Sequence, residues 1–104
     1  MNKEIYILKP SSRKDKKYMI IMPNMKPHHF GAKGYEDFTT SGDEKKRKAY
    51  LARHSVREDW TKTGIHSSGY WARWLLWSKP TLKEAIKDVE RKLNVQIVMK
   101  SEFP

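Results

Sequence analysis

The run Thr81-Leu82-Lys83-Glu84-Ala85-Ile86-Lys87-Asp88-Val89-Glu90-Arg91-Lys92-Leu93-Asn94-Val95-Gln96-Ile97-Val98-Met99 changes its hydrophobic period once. Up to Asn94 the apolar residues Leu82, Ala85, Ile86, Val89 and Leu93 recur at the steps of three and four that put side chains on one helix face. Thr81 and Glu84 have the spacing of a capping box, and Asn94 suits a C-terminal stop. From Val95 the spacing drops to two and the residues become β-branched, which is strand behaviour. A helix that runs into a strand needs a sheet to join, and the rest of the chain has to supply it.

Just upstream, Tyr70-Trp71-Ala72-Arg73-Trp74-Leu75-Leu76-Trp77 is apolar almost all round, with Arg73 its one charge. Such a segment belongs in the core. Trp71, Trp74, Leu75, Ile86, Val89 and Leu93 are therefore expected to be buried against one another. Further upstream, Ser41 with Glu44 suggests another capping box, and the acidic pair Asp43 and Glu44 suits the positive end of a helix that continues to about His54. That helix is basic and offers little apolar surface beyond Ala49, Tyr50 and Leu51, so Tyr50 is its expected anchor.

The first third supplies the sheet. Glu4 to Leu8 and Tyr18 to Met22 read as strands, with His28-Phe30 as a third behind the turn Pro23 to Pro27. Gly31, Gly34, Thr39, Thr40, Ser41 and Gly42 mark a loop. The expected fold is α+β, a small antiparallel sheet of N-terminal strands plus the C-terminal strand packed by about three helices, in the order β-β-β-α-α-α-β. One domain over 1–104 is expected: a basic strand region 1–31, a loop 31–42, a helical region 43–94 and a strand 95–99. Short strands leave open edges, and the last strand, following a helix end, is expected to pair across or swap within a homodimer.

Composition narrows the function. Of 104 residues 38% are hydrophobic, with 4 Trp, 5 Tyr and 3 Phe, which argues against disorder. A chain of this size hides roughly 60–68% of its unfolded surface, enough for one modest core. Cysteine is absent, which excludes disulfide frameworks, thiolate zinc sites and thiol nucleophiles. The longest N-terminal apolar run, Ile5 to Leu8, is too short for a signal peptide, and no segment is long and apolar enough for a bilayer. A soluble protein without membrane insertion is expected.

The titratable residues do not form a recognisable reaction centre. His28 and His29 are strand neighbours that point to opposite faces, and His54 and His66 complete no zinc spacing, so no metal and no cofactor are expected. His54 and Glu58, four apart, could orient an imidazole as a general base. Neither a nucleophile elbow nor a phosphate loop accompanies them. Gly31-Ala32-Lys33-Gly34 has the form of a GXXG loop but follows a strand instead of joining two helices. An enzyme is not expected, and no catalytic residue is assigned.

Charge is the stronger signal. Lys and Arg number 22 against 12 Asp and Glu, a net +10. Sixteen of the 22 are Lys, which suits backbone contact more than base reading by the guanidinium fork. Lys45, Lys46, Arg47, Lys48 and Arg53, aided by Arg13, Lys14, Lys16 and Lys17, are the expected contact surface for nucleic acid or another polyanion. Lys45 to Lys48 also has the form of a nuclear-import run. The other reading is a protein–protein adaptor or structural virion component acting on host or viral partners, its charge serving only to keep it in solution.

Three stretches carry a resemblance. They are His29-Phe30-Gly31 with Gly34-Tyr35-Glu36-Asp37-Phe38-Thr39, then Arg47 to His54 with Glu58-Asp59-Trp60, and lastly Gly69 to Leu82 with its dense tryptophans. Together they resemble a small basic domain of large DNA viruses of amoebae and algae, including virion proteins of Marseillevirus-like giant viruses. The resemblance implies a viral, virion-associated protein found in the particle and the host cytoplasm, and the basic run Lys45 to Lys48 adds the nucleus as a further location. It brings no catalytic residues.

Overall fold

Apolar residues at every second position of the first strands meet two apolar helix faces, and this decides which side of the sheet is covered. The computed structural model describes residues 3–100; the outermost positions of the single domain expected over 1–104, namely 1–2 and 101–104, lie outside the described residues. The chain runs β1 (Ile5–Pro10), β2 (Lys16–Ile21), β3 (His28–Ala32), α1 (Phe38–Ser41), α2 (Glu44–His54), a 3-10 turn Lys62–Gly64, α3 (Ser68–Leu76), α4 (Leu82–Leu93) and β4 (Gln96–Met99). The α+β class and the order of strands around the helices are as the sequence indicates.

The sheet order is β3-β2-β1-β4. β1 pairs antiparallel with β2, setting Leu8 opposite Ile20, and β2 pairs antiparallel with β3, setting Tyr18 opposite Phe30. β4 joins β1 in parallel, with Tyr6 beside Ile97. The sheet is thus mixed, where a wholly antiparallel one was expected. Hairpin turns impose antiparallel neighbours on β1 to β3, whereas the long helical connection frees β4 to enter in either direction.

Tyr6, Leu8, Ile20, Met22, Phe30 and Ile97 form the sheet side of the core; Trp71, Leu75 and Leu76 of α3 and Ala85, Ile86 and Val89 of α4 cover them. Of the expected core, Trp71, Leu75, Ile86 and Val89 are buried, while Trp74 and Leu93 are only half-buried at its margin. Gly31 allows the close approach of α3 to β3: its φ is +80°, and a Cβ there would lie 2.7 Å from Leu76 Cδ1.

The helix ends differ in detail from their expected signals. Ser41 does not cap α2, because it is the last residue of α1, a short helix inside the expected loop 31–42. Asp43 caps α2 instead, its carboxylate accepting from the amides of Lys45 and Lys46. Asp37 caps α1 in a capping box with Thr40. At α4, Thr81 accepts from the Glu84 amide, and Asn94 closes the helix in the left-handed conformation at φ 55°. α3 begins two residues before Tyr70, capped by the Ser67 hydroxyl. No helix among the described residues is long and apolar enough to cross a membrane.

A candidate polyanion-binding groove beside the basic helix

α2 buries a single residue, and that residue fixes the helix. The Tyr50 ring stacks on Trp77 at 4.3 Å and 6° and on His54 at 4.0 Å and 19°, which sets the phenol ring between the two. Burial and the neighbouring Glu58 carboxylate push its hydroxyl pKa well above the ordinary tyrosine value. The Trp77 carbonyl accepts from Arg47 Nε and from Arg73 Nη1, each at 3.1 Å. Two cations from different helices therefore converge on one acceptor at the end of α3.

Arg73 is the one charge of the tryptophan-rich helix, and it is buried. Its guanidinium lies 4.1 Å from the Trp74 ring centroid and 5.1 Å from that of Trp60. Desolvation, followed by repulsion from Arg47, lowers its pKa, and its Nε has no hydrogen-bond partner among the described residues. The aromatic faces take the place of a carboxylate partner.

α2 ends at His54, so Glu58 lies beyond the helix, yet the expected pair forms. His54 Nδ1 is 2.8 Å from Glu58 Oε2, and Trp60 Nε1 donates to Glu58 Oε1 at 2.9 Å. An ionised carboxylate only accepts, so Nδ1 is the donor in this bond. The Glu58 carboxylate lies against the first turn of α3; a Cβ on Gly69 would come within 2.7 Å of Glu58 Cδ. The helix N-terminus favours a negative charge there. His28 and His29 diverge, His28 Nε2 meeting the His66 carbonyl and His29 Nδ1 the Ser11 hydroxyl.

The nine basic residues read as a contact surface divide into three groups. Lys45 and Lys48 are exposed on the outer side of α2, and Arg13 and Lys14 are exposed on the turn between β1 and β2, where Arg13 pairs with Asp15 at 3.3 Å. Arg47 turns inward, held by Glu44 at 2.8 Å, by the Trp77 carbonyl and over the Phe38 ring. Lys16, Lys17, Lys46 and Arg53 line one groove of about 510 Å³ between β2, β3, the 35–37 segment, α2 and α3. The fold thus brings Lys16 and Lys17 of β2 up to Lys46 and Arg53 of α2 and removes Arg47 from the exposed set.

Within the groove the four cations face three carboxylates, Glu36, Asp37 and Glu58. Lys17 Nζ bonds Asp37 at 2.6 Å, Lys46 Nζ bonds Glu36 at 2.7 Å, and Glu58 holds His54. Half-buried Lys16 and exposed Arg53 have no carboxylate partner among the described residues. Phe30, Tyr50 and Trp77 give the groove aromatic walls, and Tyr35 stands at its rim, 74% exposed. Sequence reasoning assigned no role to Tyr35. Its signal was an aromatic residue isolated between Gly34 and Glu36, with no apolar neighbour to draw it inward.

Residues 6–54 match the model of a family of unknown function (DUF5754). The matched segment runs from β1 to the end of α2 and contains every cation of the groove, but neither Glu58 nor the tryptophan-rich helix. No curated protein and no solved structure matches the chain.

Proposed function

We propose that the protein binds nucleic acid or another polyanion through phosphate contacts, without sequence choice, and that it acts as a small virion-associated viral protein without catalysis of its own. The observation that carries the binding part is the groove in which Lys16 and Arg53, from separate elements, have no carboxylate partner among the described residues. Exposed Lys45 and Lys48 extend the basic surface along the same helix. Phosphates binding there release condensed counterions, so affinity falls steeply as salt rises. The viral part rests on the motif resemblance alone, as does residence in the particle and host cytoplasm, while entry to the nucleus rests on the basic run Lys45 to Lys48. Mass spectrometry of purified particles tests it.

The binding test is a salt series with labelled duplex DNA. Replacing Lys45, Lys46 and Lys48 by Glu lowers the net charge from +10 to +4 and leaves the buried set untouched. The parent binds at low salt with a steep salt slope, and the variant binds much more weakly at matched salt. Equal binding by the two proteins removes α2 as the surface. A parent that binds nothing at low salt overturns the polyanion reading.

The adaptor reading has its own observation. Ile5 and Met99 are each 52% exposed and Met25 39%, with Ile7, Ile21 and Val98 half-buried. An apolar surface of this kind suits a protein partner or a second copy of the chain. We propose a homodimer as part of this reading, with the β4 edge as its seam. Pairing there has to displace Glu90, whose Oε2 already accepts from the Ile97 amide at 2.8 Å.

A further inference from the structure

We infer that the polynucleotide bound in the groove is single-stranded, with Tyr35 as the platform on which a base stacks. The inference rests on the polyanion reading above and adds to it the form of the ligand. Among the aromatic residues of the groove, Tyr35 has its ring in water, at 74% exposure, and no ring contact among the described residues. Tyr50 has its faces taken by His54 and Trp77, and Phe30 is buried beside Tyr18.

The segment that carries Tyr35 is tied down on both sides. The Lys33 amide donates to the Asp15 carbonyl at 3.0 Å, and the Tyr35 amide donates to the Ala32 carbonyl at 3.3 Å. Immediately after Tyr35, Glu36 is bonded to Lys46 and Asp37 to Lys17. The ring is therefore presented from a fixed backbone next to four groove cations, and the ring itself is no part of the core. Stacking on such a ring needs a base with a free face. In a duplex both faces of each base are covered by its neighbours, whereas a single strand offers them. Lys16 and Arg53 would contact the phosphates on either side of the stacked base, and sequence choice would be slight because every base has a π-face.

The test is fluorescence anisotropy with a labelled oligothymidylate of about 12 nucleotides and a duplex of the same length. It compares the parent with Tyr35→Ala, Tyr35→Phe and the double variant Lys16→Glu with Arg53→Glu. The exposure of Tyr35 lets its variants fold as the parent does, which thermal melting checks. The parent should prefer the single strand. Tyr35→Ala should lose about 5- to 150-fold on that strand with duplex binding unchanged, and Tyr35→Phe should retain parental affinity. Parental single-strand affinity in Tyr35→Ala, or a parent that prefers the duplex, overturns the inference. If the double variant still weakens binding in that case, the polyanion reading stands and only the stacking falls. If neither the double variant nor Tyr35→Ala alters affinity, the groove fails on both counts.

Discussion

Lys17 Nζ donates to Asp37 Oδ2 across 2.6 Å, with the two side chains 17% and 4% exposed. Asp37 also accepts from the amide and hydroxyl of Thr39, so one carboxylate caps α1 and anchors it to β2. A residue counted among the expected phosphate ligands is thus part of the scaffold. Removing its charge leaves a buried carboxylate without a cation, and Lys17→Ala should destabilise the fold by about 3–5 kcal/mol. Urea unfolding checks this; a loss below about 1 kcal/mol would assign the pair to the weak surface class.

The two tryptophans expected to share one core should now separate in their effects. Trp71 has no exposed surface and donates Nε1 to the Ile65 carbonyl, whereas Trp74 is half-buried between Arg73 and Lys92. Trp71→Ala should cost about 3–5 kcal/mol and threaten folding altogether. Trp74→Ala should cost less, since part of its ring already meets water. Chemical denaturation of both variants gives the order, and a reversed order contradicts this packing.

Alkali should unfold the protein through its buried tyrosines. Burial, then the nearby Tyr6 and Asp88, push the Tyr70 hydroxyl up to about 12, and Tyr6, Tyr18 and Tyr50 are raised as well. The unfolded phenol ionises near 10, below the folded value. The contribution is therefore complete below pH ~10 and is lost as pH climbs towards ~12, because the unfolded chain sheds its protons first. Phenolate absorbance followed during an alkaline titration should rise together with loss of helix. Ionisation of Tyr6, Tyr18, Tyr50 and Tyr70 at the model-peptide value, with the helices intact, would be the opposite result.

Glu90 should control the open side of β4. Glu90→Ala frees the Ile97 amide that a neighbouring strand would need, and exposed edges of this kind pair with other chains. Light scattering should show the variant with more dimer than the parent at equal concentration. A mass that stays at 12.4 kDa for both proteins would remove self-association through this strand.

What was legible in the sequence was whatever short-range pattern controls. The caps Thr81 and Asn94, the strands before the helices and the anchoring of α2 by Tyr50 all follow from spacing within a few residues. The direction of β4 did not, because no local pattern distinguishes a parallel from an antiparallel neighbour. The basic surface was only partly legible. Lys17 is claimed by Asp37, and Arg47 by a carbonyl 30 positions away, and neither partner lies within reach of a periodicity argument. Tyr35 was overlooked because an exposed aromatic ring leaves no periodic trace.

The Tyr50–Trp77 stack joins residue 50, inside the matched segment 6–54, to a residue well outside it. The same boundary separates Phe30 and Leu8 from α3 and α4, which shield them. Residues 6–54 are therefore half of a closed interior, with a wet apolar face wherever they stand alone. Taken alone, residues 6–54 of this chain would leave the Tyr50 phenol without the flat ring it lies on and Arg47 without the Trp77 carbonyl that accepts from it. The matched portion is continuous as sequence but open as a packed body, because the core crosses its boundary.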